Sequence, residues 1–360
     1  MRRILPLFAV VGLLAGCSTD LEINAPYKDI PVIYGLLNPC DSIHFVRINK
    51  AFLGEGDAYQ YAAIPDSNEY DPEVITKRMV YEIVNGNRVD SFPLRDTIVE
   101  REPGIFHTTQ RVYYFTRTTP PVVVGAEPHA FKVYLDQNAR YELYLVINGK
   151  ELRAVTNIVN DFQVQSADAS PNVGINFVNN NGYIDYELNW TTGIDGKRTE
   201  VSYRFNYDEV RGSDTVRKSV TRRIGKVIAA NPDAGNESQS LLIGGEAFFS
   251  GLASAIPNDP GVDKRIFTGV DFLFTVANED FNTFLSLSEP VSGIIEDRPS
   301  WSNIEGAYGI WGSRFTKQVG KRLVLKKLND ATTNELMNGP YTADRRFCSG
   351  FHAGPPYGCN

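Results

Sequence analysis

Four cysteines and four histidines are the side chains best suited to covalent or metal chemistry, and they are spread thinly through the chain. Cys17 follows Ala15 and Gly16 at the end of an apolar run that begins after Arg2 and Arg3. A basic start, a short apolar run and a small pair before cysteine are typical of bacterial lipoprotein signals. We expect cleavage before Cys17 and acylation of the new N-terminal residue, with palmitate as a typical chain. A plain signal peptide with an incidental thiol is the alternative.

Cys348 and Cys359 are separated by a short segment rich in glycine and proline, which closes easily into a small loop. In an exported protein such a pair predicts a disulfide bond. A zinc site that adds His352 to the two cysteines is the alternative, although the segment offers no fourth ligand nearby. With Cys40, the mature chain holds three further thiols besides the anchor, so at least one stays unpaired within the chain.

The other residues that could do chemistry form no catalytic or cofactor signature. No two histidines stand four residues apart, which excludes a zincin motif, and His44 is expected to be an ordinary strand position. The sequence has no Gly-x-Ser-x-Gly elbow, and its glycine clusters lack the Gly-Lys-Ser or Gly-Lys-Thr ending of a phosphate loop. Residues 231–237 offer oxygen ligands without EF-hand spacing, so we interpret them as a solvated turn. We predict no catalytic residue, cofactor or metal.

Three large aromatic side chains flank a glycine-punctuated strand at residues 303–313, namely Trp301, Tyr308 and Trp311. Aromatic residues of this kind anchor partner proteins or sugars when they lie on a surface. They are our candidate partner-binding residues, with core packing as the alternative for each of them.

Composition decides the fold class and excludes one class of partner. The chain has 360 residues, 18 Tyr, 20 Phe, 30 Gly and 20 Pro but 3 Met, a balance that favours a mostly β fold. Its length allows two domains. The formal net charge of -7 argues against nucleic acid as a partner.

The elements that must position these residues divide into two parts. Residues 29–160 contain six or seven short strands, with hairpin turns at Asn85-Gly86 and Asn148-Gly149, and predict an immunoglobulin-like or fibronectin-like β-sandwich. Tyr141 is a candidate tyrosine corner, with a plain core tyrosine as the alternative. A polar, Asn-rich segment begins at Phe162 and marks a domain boundary near residue 160.

The second part, residues 161–345, is expected to be a β-rich domain with one or two short helices, at residues 241–256 and 279–288. Residues 346–360 form a tail bounded by the cysteine pair. At the other end, residues 1–16 are the signal peptide and residues 17–28 a lipidated tether. The long loop 54–71 mixes glycine and aspartate with three tyrosines, so it is either mobile or a binding surface.

Three stretches of the sequence carry a resemblance to a family: Cys17 with its acidic tether, the strand pair ending at residues 50–52, and residues 302–312 preceded by the Phe-rich helix at 281–287. Together they resemble the outer-membrane lipoproteins of Bacteroidota-type bacteria that accompany TonB-dependent receptors, a domain of unknown function. The chain departs from that pattern with Ala307 for a glycine and Trp311 for a phenylalanine. The resemblance implies an envelope protein at the outer membrane beside a transporter, and no catalytic residue.

These features predict a lipid-anchored accessory or binding lipoprotein of the outer membrane, not an enzyme, that partners a TonB-dependent receptor barrel in nutrient uptake. Its loops, such as 54–71, would face the receptor or its ligand. The ligand and the face of the membrane stay open. One alternative is a structural or assembly component of the envelope or of a secretion or surface-attachment machine. The other is a glycan or peptide hydrolase, which requires carboxylates clustered in a cleft.

Overall fold

The computed structural model describes residues 30–51, 58–124, 131–289, 301–319 and 325–359. The strands of the first half are β1 (Ile30–Leu37), β2 (Ile43–Ala51), β3 (Ile75–Val84), β4 (Asn87–Pro93), β5 (Arg95–Glu100), β6 (Thr109–Thr116), β7 (Val122–Val124), β8 (Phe131–Val133), β9 (Arg140–Ile147) and β10 (Lys150–Asn157).

The second half contributes β11 (Gln163–Val164), β12 (Val178–Asn179), β13 (Gly182–Tyr183), β14 (Tyr186–Thr191), β15 (Arg198–Arg211), β16 (Asp214–Ile228), β17 (Ser238–Ile243), β18 (Lys264–Ala277), β19 (Tyr308–Val319) and β20 (Phe347–Ser349). The helices are short: α1 (Ala58–Ala62), α2 (Pro65–Asn68), α3 (Ser166–Ala169), α4 (Gly245–Ala255), α5 (Glu279–Ser288) and α6 (Asp330–Asn338). The protein is therefore mostly β with a few helices, which confirms the predicted fold class.

Both Asn-Gly hairpins are present. Asn85 and Gly86 have φ angles of 50° and 79°, and Asn148 and Gly149 have φ angles of 50° and 77°. Two consecutive residues with positive φ make the tight turn whose twist matches that of its strands. The turns join β3 to β4 and β9 to β10 as antiparallel pairs.

The largest sheet has nine strands in the order β16-β15-β18-β19-β1-β2-β6-β5, with β20 added beside β18. Its middle pair, β1 and β19, is parallel and comes from opposite ends of the chain. The sheet is therefore continuous across the boundary predicted near residue 160. The prediction that residues 29–160 form the whole sandwich is wrong, because β19, from the far end of the chain, pairs with β1 in one of the two sheets.

A second sheet, β10-β9-β3-β4, packs against the β19-β1-β2-β6 part of the first sheet. Both sheets contribute to one apolar core, which includes Ile33, Val46, Phe115, Leu143 and Trp311. The N-terminal half is thus a β-sandwich.

Tyr141 has the hydrogen bonding of a tyrosine corner within this sandwich. Its hydroxyl accepts from the backbone N–H of Asp136 at 2.9 Å and donates to the carboxylate of Glu82 at 3.1 Å. Burial and the nearby carboxylate raise its pKa above the usual value. The hydroxyl therefore stays protonated and fixes the segment before β9 to β3.

A separate core lies in the second half, between the β15-β18 part of the large sheet and α4, with rings such as Phe205, Phe248 and Phe272. The first core ends at Ile158 and the second begins at Val159, apart from Ile304 and Trp311, which belong to the first. The boundary near residue 160 thus coincides with a change of core but not with a break in the sheet.

The helices match the sequence prediction unevenly. α5 spans Glu279–Ser288 as predicted, because the Asn278 side chain accepts a hydrogen bond from the Phe281 N–H at 3.1 Å and caps its start. The helix predicted at 241–256 begins at Gly245 instead, since residues 238–243 pair with β14 as strand β17. α6 was not among the predicted helices, and the Asn329 side chain caps it in the same manner. No helix in the described ranges is long and apolar enough to cross a membrane.

Candidate binding site

The three aromatic residues singled out from the sequence do not share a surface. Trp311 is completely buried in the first core, and its indole N–H donates to the Tyr141 carbonyl at 2.9 Å. It cannot touch a partner. Tyr308 is 48% exposed at the start of β19, and Trp301 is half-buried. The prediction fails for Trp311 because its side chain points from β19 into the sandwich, toward Gly35.

The cysteines are placed as follows. Cys348 and Cys359 are joined by a disulfide with an S–S distance of 2.00 Å, which excludes them as zinc ligands. The His352 Nδ1 lies 2.8 Å from the Ser349 hydroxyl. Cys40 is half-buried, and Cys17 lies outside the described residues.

The other candidates for chemistry have structural surroundings. His44 is buried and stacks on Phe115 with 4.7 Å between ring centroids, and burial lowers its pKa to about 4. It is neutral near pH 7. The turn at 231–237 closes on itself, because the Glu237 carboxylate accepts from the backbone N–H groups of Ala230 and Asn231 at 2.8 and 3.2 Å. Within the part of the chain that the structure describes, no three His, Cys, Asp or Glu side chains group as a metal site.

The loop predicted as mobile or binding has a defined structure from residue 58 onward, whereas residues 52–57 lie outside the described ranges. It folds as α1 and α2, followed by a bridge between Glu69 and Asn49 beside β2. The Asn49 side chain donates to the Asn68 carbonyl at 2.8 Å. The Asn68 side chain in turn donates to the carbonyls of Ala62 and Ile64 at 3.2 and 3.3 Å. These bonds hold the two short helices against the end of β2.

Glu69 fixes this segment to the β5–β6 hairpin. Its carboxylate accepts from the Arg111 backbone N–H, 3.3 Å from each oxygen. It also lies 3.3 Å from His107 and 3.6 Å from Arg101, two residues of the hairpin turn. The Glu69 side chain is 15% exposed, so this carboxylate is largely shielded from water. A carboxylate so placed holds the segment and the turn at a fixed separation.

A cavity of about 340 Å³ opens between the segment and the turn, and we name it the Tyr59–Phe106 cavity. Its lining includes Lys50, Tyr59, Tyr61, Asn68, Ile105 and Phe106. Exposure is high for large apolar side chains: 68% for Tyr59, 55% for Ile105 and 50% for Phe106. Side chains of this kind normally avoid water, and where several adjoin a cavity they mark a binding surface.

One cation lines the cavity and others lie near it. The Lys50 amine lines it and lies 5.6 Å from the ring centre of Tyr70, and the Arg101 guanidinium lies 5.4 Å from that of Phe106. Partial burial and the charge of Arg101 lower the pKa of Arg47, which binds the Asn49 side chain at 2.7 Å. The site thus pairs an apolar cavity with cations.

Sequence reasoning found one half of this site and missed the other. The tyrosines of loop 54–71 were part of a predicted binding surface, whereas Ile105 and Phe106 were not predicted to bind anything. The available signal was a pair of large apolar residues directly after Pro103 and Gly104, in a turn where polar residues are usual.

No family model matches the sequence, and no curated protein matches it. Among solved structures, the chain is similar to the C-terminal globular domain of oligosaccharyltransferase from Pyrococcus abyssi, at 13% identity and a TM-score of 0.24. That match covers 68% of this chain and 45% of the other, so the chain spans less than half of that structure's length. A likeness of this extent carries no information about function.

Proposed function

We propose that this protein is a lipid-anchored, non-enzymatic binding protein of the outer membrane that binds a ligand in the Tyr59–Phe106 cavity and works beside a TonB-dependent receptor in nutrient uptake. The observation that carries the binding role is the cavity itself, which exposes Tyr59, Ile105 and Phe106 around about 340 Å³. The signal-like N-terminus supports the proposed anchor at Cys17. The family resemblance supports the proposed receptor partner.

The arrangement favours binding over a role in packing alone. The largely buried Glu69 carboxylate holds the segment against the turn, and the side chains of Asn49 and Asn68 hold the segment against β2. Apolar side chains held in place by such a scaffold lose little further conformational entropy when a ligand arrives. A preformed site with few polar groups is typical of small-molecule recognition.

The binding role is tested by what the native protein carries. The lipidated protein is purified gently from its own membranes, and bound small molecules are extracted and measured by mass spectrometry. Phe106→Asp places a charge in the cavity and should abolish the enriched compound. Val89→Asp, at a residue of β4 that is 56% exposed, is the matched control and should retain it. Equal recovery from both variants would contradict the binding site.

The partner is tested separately by capture from mild-detergent outer membranes, with Cys17→Ser as the control that removes the anchor. We expect the native protein to capture a TonB-dependent barrel in stoichiometric amount. The Cys17→Ser variant should be absent from the membrane fraction and should therefore capture no barrel. Capture of a secretion assembly, or of no barrel, would favour the structural role instead.

A further inference from the structure

The Tyr59–Phe106 cavity combines two chemical properties that restrict its ligand further than its shape does. One is an apolar lining, and the other is an excess of positive charge at its edge. The class of ligand that these properties select rests on the proposed binding function.

The volume sets the size of the ligand. A cavity of about 340 Å³ lies at the small end of the range of roughly 300 to 1,000 Å³ found for ligand pockets. It accommodates one aromatic ring system or a short alkyl chain. The rings of Tyr59 and Phe106 and the branched side chain of Ile105 offer apolar contact to such a group.

The positive charges near the cavity indicate that the ligand also carries an anionic group. Arg47, Lys50 and Arg101 bring three positive charges to this region. Of these three, Arg101 pairs with a carboxylate, that of Glu69, at 3.6 Å. Glu69 is shared, because it also contacts His107 and accepts from the Arg111 N–H. Lys50 has no carboxylate within 4 Å among the residues that the structure describes. The lysine that lines the cavity is therefore available to an anion.

The neighbouring cations support the same conclusion. The positive charge of Arg101 contributes to the lowered pKa of Arg47, so the two guanidinium groups repel each other. Nε of Arg101 is buried and has no hydrogen-bond acceptor in the described residues, whereas its Nη2 lies 3.6 Å from the Glu69 carboxylate. An anion beside these guanidinium groups would offset their mutual repulsion, whereas a neutral ligand would not.

We infer that the ligand class is a small amphipathic anion, whose aromatic or short alkyl part fills the cavity between Tyr59 and Phe106 while its carboxylate or comparable anionic group binds Lys50. A neutral apolar compound is the competing occupant, and the test separates the two.

The probes are 2-naphthoate and its neutral amide, 2-naphthamide, titrated into the full mature chain at low salt and followed by calorimetry. The expected result is at least tenfold tighter binding of 2-naphthoate, a difference that falls at high salt because exposed charges are screened. Lys50→Gln should abolish the preference for 2-naphthoate over 2-naphthamide. Lys77→Gln, at an exposed lysine of β3, is the matched control and should keep it.

Each other outcome overturns the inference in a recognisable manner. Equal binding of the two probes, both removed by Phe106→Asp, would reject the anionic class and leave the proposed binding site standing. A preference that survives Lys50→Gln would reject the role of this lysine. If neither probe binds, the ligand class is rejected. Thermal unfolding of each variant serves as the control that the variant is folded.

Discussion

Gly35 and Trp311 lie opposite each other on the parallel strands β1 and β19, and the Trp311 ring occupies the space that a side chain at residue 35 would need. A Cβ added at Gly35 would lie 2.5 Å from two carbons of that ring. Such a distance is far inside van der Waals contact, so glycine is required here by close approach. The contact joins the N-terminal sandwich to a strand from the far end of the chain.

Gly35→Ala should therefore destabilise the protein by about 1 to 3 kcal/mol through overpacking. In a Trp311→Phe background, the same change should cost less, because the smaller ring vacates part of the contested space. Urea unfolding of the four combinations gives the coupling free energy. Gly104→Ala is the control, since the contact it would make is at 3.9 Å. If Gly35→Ala lowers the unfolding free energy equally with Trp311 and with Trp311→Phe, the Trp311 ring is not the reason that residue 35 must be glycine.

His44 should make the protein sensitive to acid. Its pKa is lowered by burial to about 4 in the folded state, against 6.5 as its ordinary value. The unfolded chain therefore binds the proton first, and stability is lost as the pH falls from about 6.5 toward 4. A shift of this size corresponds to roughly 3 kcal/mol when complete.

His44→Phe should remove this part of the pH dependence, because phenylalanine keeps the ring against Phe115 and does not titrate. The measurement is the free energy of unfolding at pH 7.5 and pH 4.5 for both proteins. The native protein should lose about 2 to 3 kcal/mol more than the variant over this interval. Parallel losses would contradict the prediction.

Glu69 should hold the two halves of the Tyr59–Phe106 cavity together. Glu69→Ala leaves Arg101 without its carboxylate and the Arg111 N–H without its acceptor, which costs about 1 to 3 kcal/mol for a largely buried group. Hydrogen exchange should show lost protection in residues 58–71 before the rest of the chain responds. Glu73→Ala, at an exposed position just after this segment, should leave protection unchanged. Unaltered exchange in Glu69→Ala would assign the segment's order to other contacts.

The disulfide between Cys348 and Cys359 should stabilise the C-terminal edge of the second core. It closes a loop over a sequence separation of 11, next to Phe347, which packs in that core. A loop of this size contributes about 3 kcal/mol by restricting the unfolded chain. The double variant Cys348→Ser, Cys359→Ser should lower the unfolding free energy by that order, and reduction of the native protein should match it. A variant as stable as the oxidised protein would disprove the contribution.

Features fixed by neighbouring residues followed from the sequence. The Asn-Gly pairs placed two hairpins correctly, because positive φ angles at those residues permit the tight turn. The start of α5 was also predicted correctly, and it depends on a local bond, because the Asn278 side chain accepts from the N–H of Phe281, three residues ahead. The start of α4 was misplaced because β17 pairs with β14, a contact from another part of the chain.

The candidate site was half predictable for the same reason. Tyrosines in a long loop suggested a binding surface, yet nothing local places Phe106 beside Tyr59. Their proximity depends on Glu69, which joins the loop to the β5–β6 hairpin through the Arg111 N–H. Trp311 shows the opposite error, since an aromatic residue in a glycine-punctuated strand has the same sequence pattern whether its side chain faces solvent or the core.

The sequence by itself determined the mostly β class, the hairpin turns and the pairing partner of Cys348, because each depends on conformational preferences or contacts within a few residues. The tertiary structure alone decided that one sheet spans both halves and that a cationic, apolar cavity forms at the end of β2. Asn38, directly after β1, donates to the hydroxyl of Thr316 in β19 at 3.0 Å, across a separation of 278 residues. Strand pairing over such distances depends on how whole faces pack, and leaves no periodic pattern in either segment alone.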